Sequence, residues 1–241
     1  MHRLFLIRHG QSWTNAGRGN IAPQDVGLTT MGNEQARRIA AFLKDYASLT
    51  LMVTSSYLRT KQTAEPTKRE FRSVPLEEWD VQEFTYLSPA YFGYSTIHDR
   101  RPLVDAYWEQ KDPTYEDEDG KDSESFIQFI NRVQNFIMQM NRRLNKTTLK
   151  NENIAVFSHE QFINAVLWYI KYRPTTIDAQ AMMGFRNYFH QNRIPNGTIE
   201  ELKFRRNQDG WTLEFTEEHL KPPVQELISA NLVSGIGAGM P

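Results

Sequence analysis

Three short apolar runs, at residues 4–7, 49–53 (broken only by Thr50) and 154–157, each give way to polar residues and then to apolar positions at helical spacing. A run that is apolar at every position marks a strand buried on both faces, as in a parallel sheet covered by helices. Between the first two runs, Ala36, Ile39, Ala40 and Leu43 follow the i, i+3, i+4, i+7 rule, with Thr29 or Thr30 as the cap. A longer helix is predicted from Phe126, Ile130, Val133, Ile137, Met140 and Leu144, starting near Ser123 or Ser125. After the third run, Phe162, Ala165, Val166 and Tyr169 continue as a helix that Pro174 ends. Residues 198–204 and 211–215 flank Asn207-Gln208-Asp209-Gly210 and predict a hairpin of edge strands. The alternation of strand and helix signals predicts an α/β fold.

Residues 79–122 break the pattern: they are rich in Tyr, Phe, Pro and acidic residues and hold no sustained period. They are expected to form an insertion that covers a site. No internal repeat or linker is visible in the 241 residues, so the expectation is a single domain over 1–241, with the insertion at about 79–122 and a carboxyl-terminal tail at about 216–241.

Charge narrows the partners. With 28 Lys and Arg against 29 Asp and Glu, the net charge of -1 offers no basic field, so neither nucleic acid nor membrane is an expected partner. The amino-terminal apolar run is too short for a signal peptide or a membrane span, which makes the cytoplasm the expected location. The sequence carries no signal of oligomerisation. The absence of cysteine removes disulfides, thiolate zinc sites and cysteine nucleophiles, so the chemistry rests on other residues.

Of the six histidines, His9 and His159 stand directly after apolar strand runs, whereas His2, His98, His190 and His219 do not. Ligands of open α/β sheets gather at the carboxyl ends of strands, so two such strands side by side bring both imidazoles to one crevice. Arg8 adjoins His9, and Arg59 lies one turn after the second strand run. Two guanidinium groups hold a tetrahedral oxyanion through several charge-assisted hydrogen bonds, and two imidazoles add a nucleophile and a further donor. Together these residues describe a phosphate pocket. No His-x-x-x-His pair, calcium loop, Gly-x-Ser-x-Gly elbow or Gly-x-x-x-x-Gly-Lys-[Ser/Thr] loop is present, and no metal or other cofactor is expected.

Leu6-Ile7-Arg8-His9-Gly10-Gln11-Ser12-Trp13-Thr14-Asn15 resembles the Arg-His-Gly signature of the histidine phosphatase superfamily, which includes the cofactor-dependent phosphoglycerate mutases. Further matches follow in order: Gly27-Leu28-Thr29 with Gly32 and Gln35-Ala36, the stretch 55–64 around Arg59, Glu124-Ser125, Ser158-His159 and Pro195-Asn196-Gly197. The resemblance covers roughly residues 1–205. It implies a three-layer α/β/α sandwich with a mostly parallel central sheet, phosphoglycerate mutase-like in topology. It also implies that His9 attacks phosphorus and becomes phosphorylated while Arg8, Arg59 and His159 hold the phosphoryl oxygens. Asn15 matches a polar position that helps to bind phosphate, with Gln11 as a neighbour. Two carboxyls are candidates for protonating the leaving group. Glu83 matches the acid of the mutase-like branch; Glu160 directly follows His159, where mutase-like members usually carry Gly and the acid phosphatase branch carries an Asp proton donor. A carboxylate in the first turn of a helix is also favoured by the macrodipole alone.

The leading functional reading is a phosphomonoesterase that hydrolyses a small phosphorylated substrate through a phosphohistidine. A mutase, returning the phosphoryl group to substrate, is the runner-up, because residues 84–122 do not resemble the mutase segment that clamps a bisphosphorylated three-carbon ligand. A non-catalytic phosphate-binding or scaffold protein is the third reading, and the intact His9, Arg8, Arg59 and His159 argue against it. Tyr86, Tyr91, Phe92, Tyr94, Tyr107 and Trp108 either wall the substrate or pack the insertion, and Arg100-Arg101 either accept a second anionic group or face solvent.

Overall fold

Leu4, Phe5, Leu6 and Ile7 are all fully buried, because their strand has helices on both of its faces. The computed structural model describes residues 2–17, 21–93, 97–117, 123–208 and 210–214. Within them the strands are β1 (Arg3–Arg8), β2 (Leu51–Thr54), β3 (Leu76–Glu78), β4 (Asn153–Ser158), β5 (Ile199–Asn207) and β6 (Gly210–Glu214). They form one sheet in the order β3-β2-β4-β1-β5-β6. The first four run parallel, and β5 and β6 add an antiparallel edge.

Side chains alternate across the sheet, so each strand contributes to two cores. Phe5, Ile7, Ala155 and Phe157 point to one face, where they meet Ile39 and Leu43 of α1 (Thr30–Tyr46) and Ala64 of α2 (Leu58–Glu70). Leu4, Leu6, Ile154 and Val156 point to the other. That face is covered by α4 (Phe126–Lys146), α5 (Glu160–Tyr172) and α6 (Ala179–Gln191), with α3 (Ile97–Glu109) adding Tyr107 and Trp108. The result is a three-layer α/β/α sandwich with a mostly parallel sheet.

Local chemistry sets the element ends. Thr29 caps α1 by accepting from the Gly32 amide, and Ser125 opens α4 with a reciprocal capping box to Gln128. The structure adds four elements that the apolar pattern did not predict. The insertion contains a short 3₁₀ turn, Pro89–Gly93, followed by α3; the edge strand β3 is exposed at all three positions; and α6 buries only Met182, Phe185 and Tyr188. Residues 94–96, 118–122 and 215–241, including Tyr94 and the expected tail, lie outside the described residues.

Candidate active site

Parallel pairing of β1 with β4 sets Ile7 opposite Phe157 and Arg8 opposite Ser158. The next residue on each strand is a histidine, and the rings of His9 and His159 lie 5.2 Å apart, edge to face. The turn after His9 runs so close to α1 that a Cβ on Gly10 would sit 2.4 Å from the Gly32 carbonyl oxygen, and one on Gly32 would sit 2.1 Å from that of Gln11. Both positions therefore require glycine.

Arg59, near the start of α2, links the two rings. Its Nε donates to His9 Nε2 at 3.1 Å and its Nη2 to His159 Nδ1 at 3.0 Å, while Nη1 is anchored on the Pro23 carbonyl at 2.5 Å. A guanidinium only donates, so both of these ring nitrogens carry lone pairs. The protons then lie on the opposite nitrogens: His9 Nδ1–H donates to the Gly10 carbonyl at 2.7 Å, and His159 Nε2–H donates to Ser55 Oγ at 2.8 Å. Burial holds both imidazoles well below the ordinary histidine value of 6.5, reinforced by the Arg59 charge beside each. Both are neutral at physiological pH. Burial also pushes Arg59 down to about 10, which leaves it cationic there.

A cavity of about 260 Å³ opens above these groups. Arg8, His9, Asn15, Arg59 and Glu83 line it; His159, fully buried, stands behind Arg59. Asn15 Oδ1 accepts from Ser12 N, Ser12 Oγ and Asn196 Nδ2, which fixes the side-chain amide at the cavity wall. Gln11 is not part of the lining: its Oε1 accepts from the Thr29 hydroxyl at the start of α1. The glycine-tight turn carries the Gln11 side chain toward α1.

The two candidate carboxyls sit in different surroundings. Glu83 reaches the cavity on a loop held by Ser158 Oγ–H to the Val81 carbonyl, and by Arg132 Nη1–H to the carbonyls of Asp80 and Gln82. Its Oε1 accepts from Gln161 N at 2.8 Å, and burial pushes its carboxyl up against the opposing pull of Arg59 and Arg8. Glu160 is absent from the lining and is engaged by Arg193 and Arg8 instead. Arg193 was not foreseen: it lies 33 residues from its partner, with nothing in its local sequence to mark it. Of the aromatic candidates, Tyr86 and Phe92 line the cavity, Tyr107 and Trp108 are core, and Arg100 lines the outer cavity while Arg101 is exposed.

A mostly parallel α/β sheet whose strand ends gather two neutral imidazoles, two arginines and a raised carboxyl is an oxyanion-binding fold of the phosphoryl-transfer kind. Residues 4–215 match the family model described as the histidine phosphatase superfamily (branch 1), and the chain belongs to that family. At that level it carries a histidine-phosphatase type of phosphomonoesterase chemistry. The chain is 32% identical over 168 residues to 6-phosphofructo-2-kinase/fructose-2,6-bisphosphatase 4 of Rattus norvegicus, over 69% of its own length and 32% of the relative's. The corresponding Gallus gallus enzyme is 29% identical over the same spans. The chain thus spans about a third of these relatives. Among solved structures, a mycobacterial glucosyl-3-phosphoglycerate phosphatase superposes with a TM-score of 0.67 at 17% identity, covering 92% of this chain and 100% of that one. For a phosphoserine phosphatase of Entamoeba histolytica the values are 0.63, 16%, 94% and 100%. Among the described residues no helix is long and apolar enough to cross a membrane.

Proposed function

We propose that the protein hydrolyses small phosphomonoesters through a phosphohistidine on His9. The observation that carries this reading is the fixed tautomer of His9: Nδ1–H is committed to the Gly10 carbonyl, so the lone pair of Nε2 is directed toward Arg59 at the cavity floor. An incoming phosphoryl oxygen replaces His9 as the acceptor for Arg59 Nε–H and frees that lone pair. Nε2 then attacks phosphorus as the bond to the leaving oxygen breaks, with Arg8, Arg59 and the Asn15 amide spreading over the equatorial oxygens. As the phosphoryl oxygens draw Arg59 Nη2–H away from His159 Nδ1, the bound dianion offsets the burial that keeps His159 neutral, and Nδ1 takes up a proton carried in by the substrate monoanion and becomes a further donor. Glu83, its Oε1 held by Gln161 N–H, delivers a proton from Oε2 to the leaving oxygen. In the second half, water attacks the phosphohistidine, Glu83 takes the proton of that water, and the phosphorus–nitrogen bond breaks to release phosphate. Glu160 has no such role in this scheme, since N–H donors engage both of its oxygens.

The outer cavity is built from Phe84, Tyr86, Leu87, Phe92 and Val104, with Arg100 at its edge. That lining suits a leaving group with an apolar face and an anionic end. The test is a rapid-quench experiment with a nitrophenyl phosphate in the presence of a chelator. The expected product is an acid-labile, base-stable phosphoryl adduct that His9→Ala removes along with turnover. An adduct on another residue would refute the assignment. A screen including fructose 2,6-bisphosphate, phosphoserine and glucosyl-3-phosphoglycerate then ranks substrates, and efficient conversion of 3-phosphoglycerate with 2,3-bisphosphoglycerate would favour the mutase instead.

A further inference from the structure

Glu160 is the first residue of α5, its side chain is 5% exposed, and three N–H donors and the Arg8 guanidinium converge on it. Oε1 accepts from Arg193 Nε at 2.6 Å and from Ile194 N at 3.2 Å, Oε2 accepts from Arg193 Nη2 at 3.0 Å, and Oε2 forms an ion pair with Arg8 Nη1 at 3.0 Å. Arg8 Nη1 also donates to the Ile194 carbonyl. One corner of the Arg8 guanidinium is therefore tied down by a carboxylate and a carbonyl at once. Its buried Nε has no partner, and the side chain forms part of the cavity wall. The loop that supplies Arg193 and Ile194 also supplies Asn196, whose amide holds the His9 carbonyl and Asn15 Oδ1 at 3.1 Å each.

We infer that Glu160, bound by Arg193, is a positioning residue that sets the orientation of Arg8 toward the phosphoryl oxygens. The inference rests on the reading of the cavity as a phosphoryl site. Charge accounts for the second arginine. A lone Arg8–Glu160 pair has no net charge, and Arg193 restores one positive charge to the cluster. A planar guanidinium also binds phosphate only in a set orientation, so fixing one corner in advance removes an ordering cost from substrate binding.

The sign of one experiment separates this role from a merely electrostatic one. Deleting a negative charge beside an anion site strengthens phosphate binding if charge is all that matters, and weakens it if the carboxylate orients Arg8. Inorganic phosphate is titrated calorimetrically into the unaltered protein, Glu160→Gln and Arg193→Met. About tenfold weaker binding is expected for each variant, with the double variant no worse than Glu160→Gln alone, because the two act as one unit. A second readout is the basic limb of the pH profile with an alkyl phosphate. The charged groups acting on Glu83 are Arg59, Arg8, Glu160 and Arg193. Loss of Glu160 removes a like charge and moves that limb to lower pH, while loss of Arg193 removes a cation and moves it to higher pH; general loosening of the fold moves neither in this opposed way. Equal or tighter phosphate binding by Glu160→Gln overturns the inference. Should Glu160→Gln fail to fold, Arg193→Lys decides alone: at this 60% exposed position it keeps the charge and loses the two-pronged grip, so weaker phosphate binding supports the inference and unchanged binding overturns it. Absence of phosphate binding by the unaltered protein would overturn the parent reading and this inference with it.

Discussion

Arg59 donates to both imidazoles through different nitrogens, so one planar group sets the spacing and the protonation of two others. Lysine, with a single ammonium, has no such fork. The neutral histidines have a consequence for stability. Their folded values lie below 6.5, so between those values and 6.5 the unfolded chain binds more protons than the native one. Stability is therefore full above about pH 6.5 and declines as pH falls below it. The melting temperature is expected to be lower at about pH 5.5 than at about pH 7.5, and the difference should shrink in His159→Gln if that residue folds neutral. Glu83 is read out by leaving-group dependence. A basic alkoxide needs a proton and a nitrophenolate does not, so Glu83→Gln should slow alkyl phosphate cleavage more than nitrophenyl phosphate cleavage, by up to about 10²–10⁴-fold. Glu160→Gln should show no such selectivity, since N–H donors engage both of its oxygens away from the cavity.

The contact between the His9 turn and the first turn of α1 governs the site without taking part in chemistry. Gly10→Ala places a methyl group 2.4 Å from a backbone carbonyl, which cannot move as a side-chain tip can. A loss of about 1–3 kcal/mol is expected by thermal denaturation, together with a fall in kcat as His9 shifts. The strands, α1, α4 and α5 were legible because both-face burial and 3.6-residue spacing are strong local patterns. Edge strand β3 was not, because its three exposed residues pair with β2 through the backbone and bury no apolar side chain. In α3, Pro102 and scattered aromatics obscure the period, and in α6 three buried residues leave little stripe. The histidines and Arg59 could be placed from their distance to the strand ends. The choice between Glu83 and Glu160 had no such marker, since what separates them is Arg193, a partner brought in across the fold.

The sandwich and the insertion divide the cavity between them. The floor comes from strand ends and helix starts, whereas the outer wall comes from Phe84, Tyr86, Leu87, Phe92, Arg100 and Val104 of the insertion, which under the proposed function selects the substrate. Val104→Trp is expected to reduce kcat/KM for bulky phosphomonoesters by about tenfold or more while leaving inhibition by inorganic phosphate unchanged; a parallel loss of phosphate affinity would mean that the wall reaches the floor. The pairing of Arg8 with Ser158 has a further consequence, for how this chain tolerates change in length. Each histidine is reached by counting along its own strand, so inserting or deleting one residue within β1 or β4 advances one imidazole by about 3.3 Å and turns it to the opposite face. The neighbouring strand does not follow. Loops elsewhere absorb indels, but in these two segments the reading frame of the strand is itself part of the catalytic geometry.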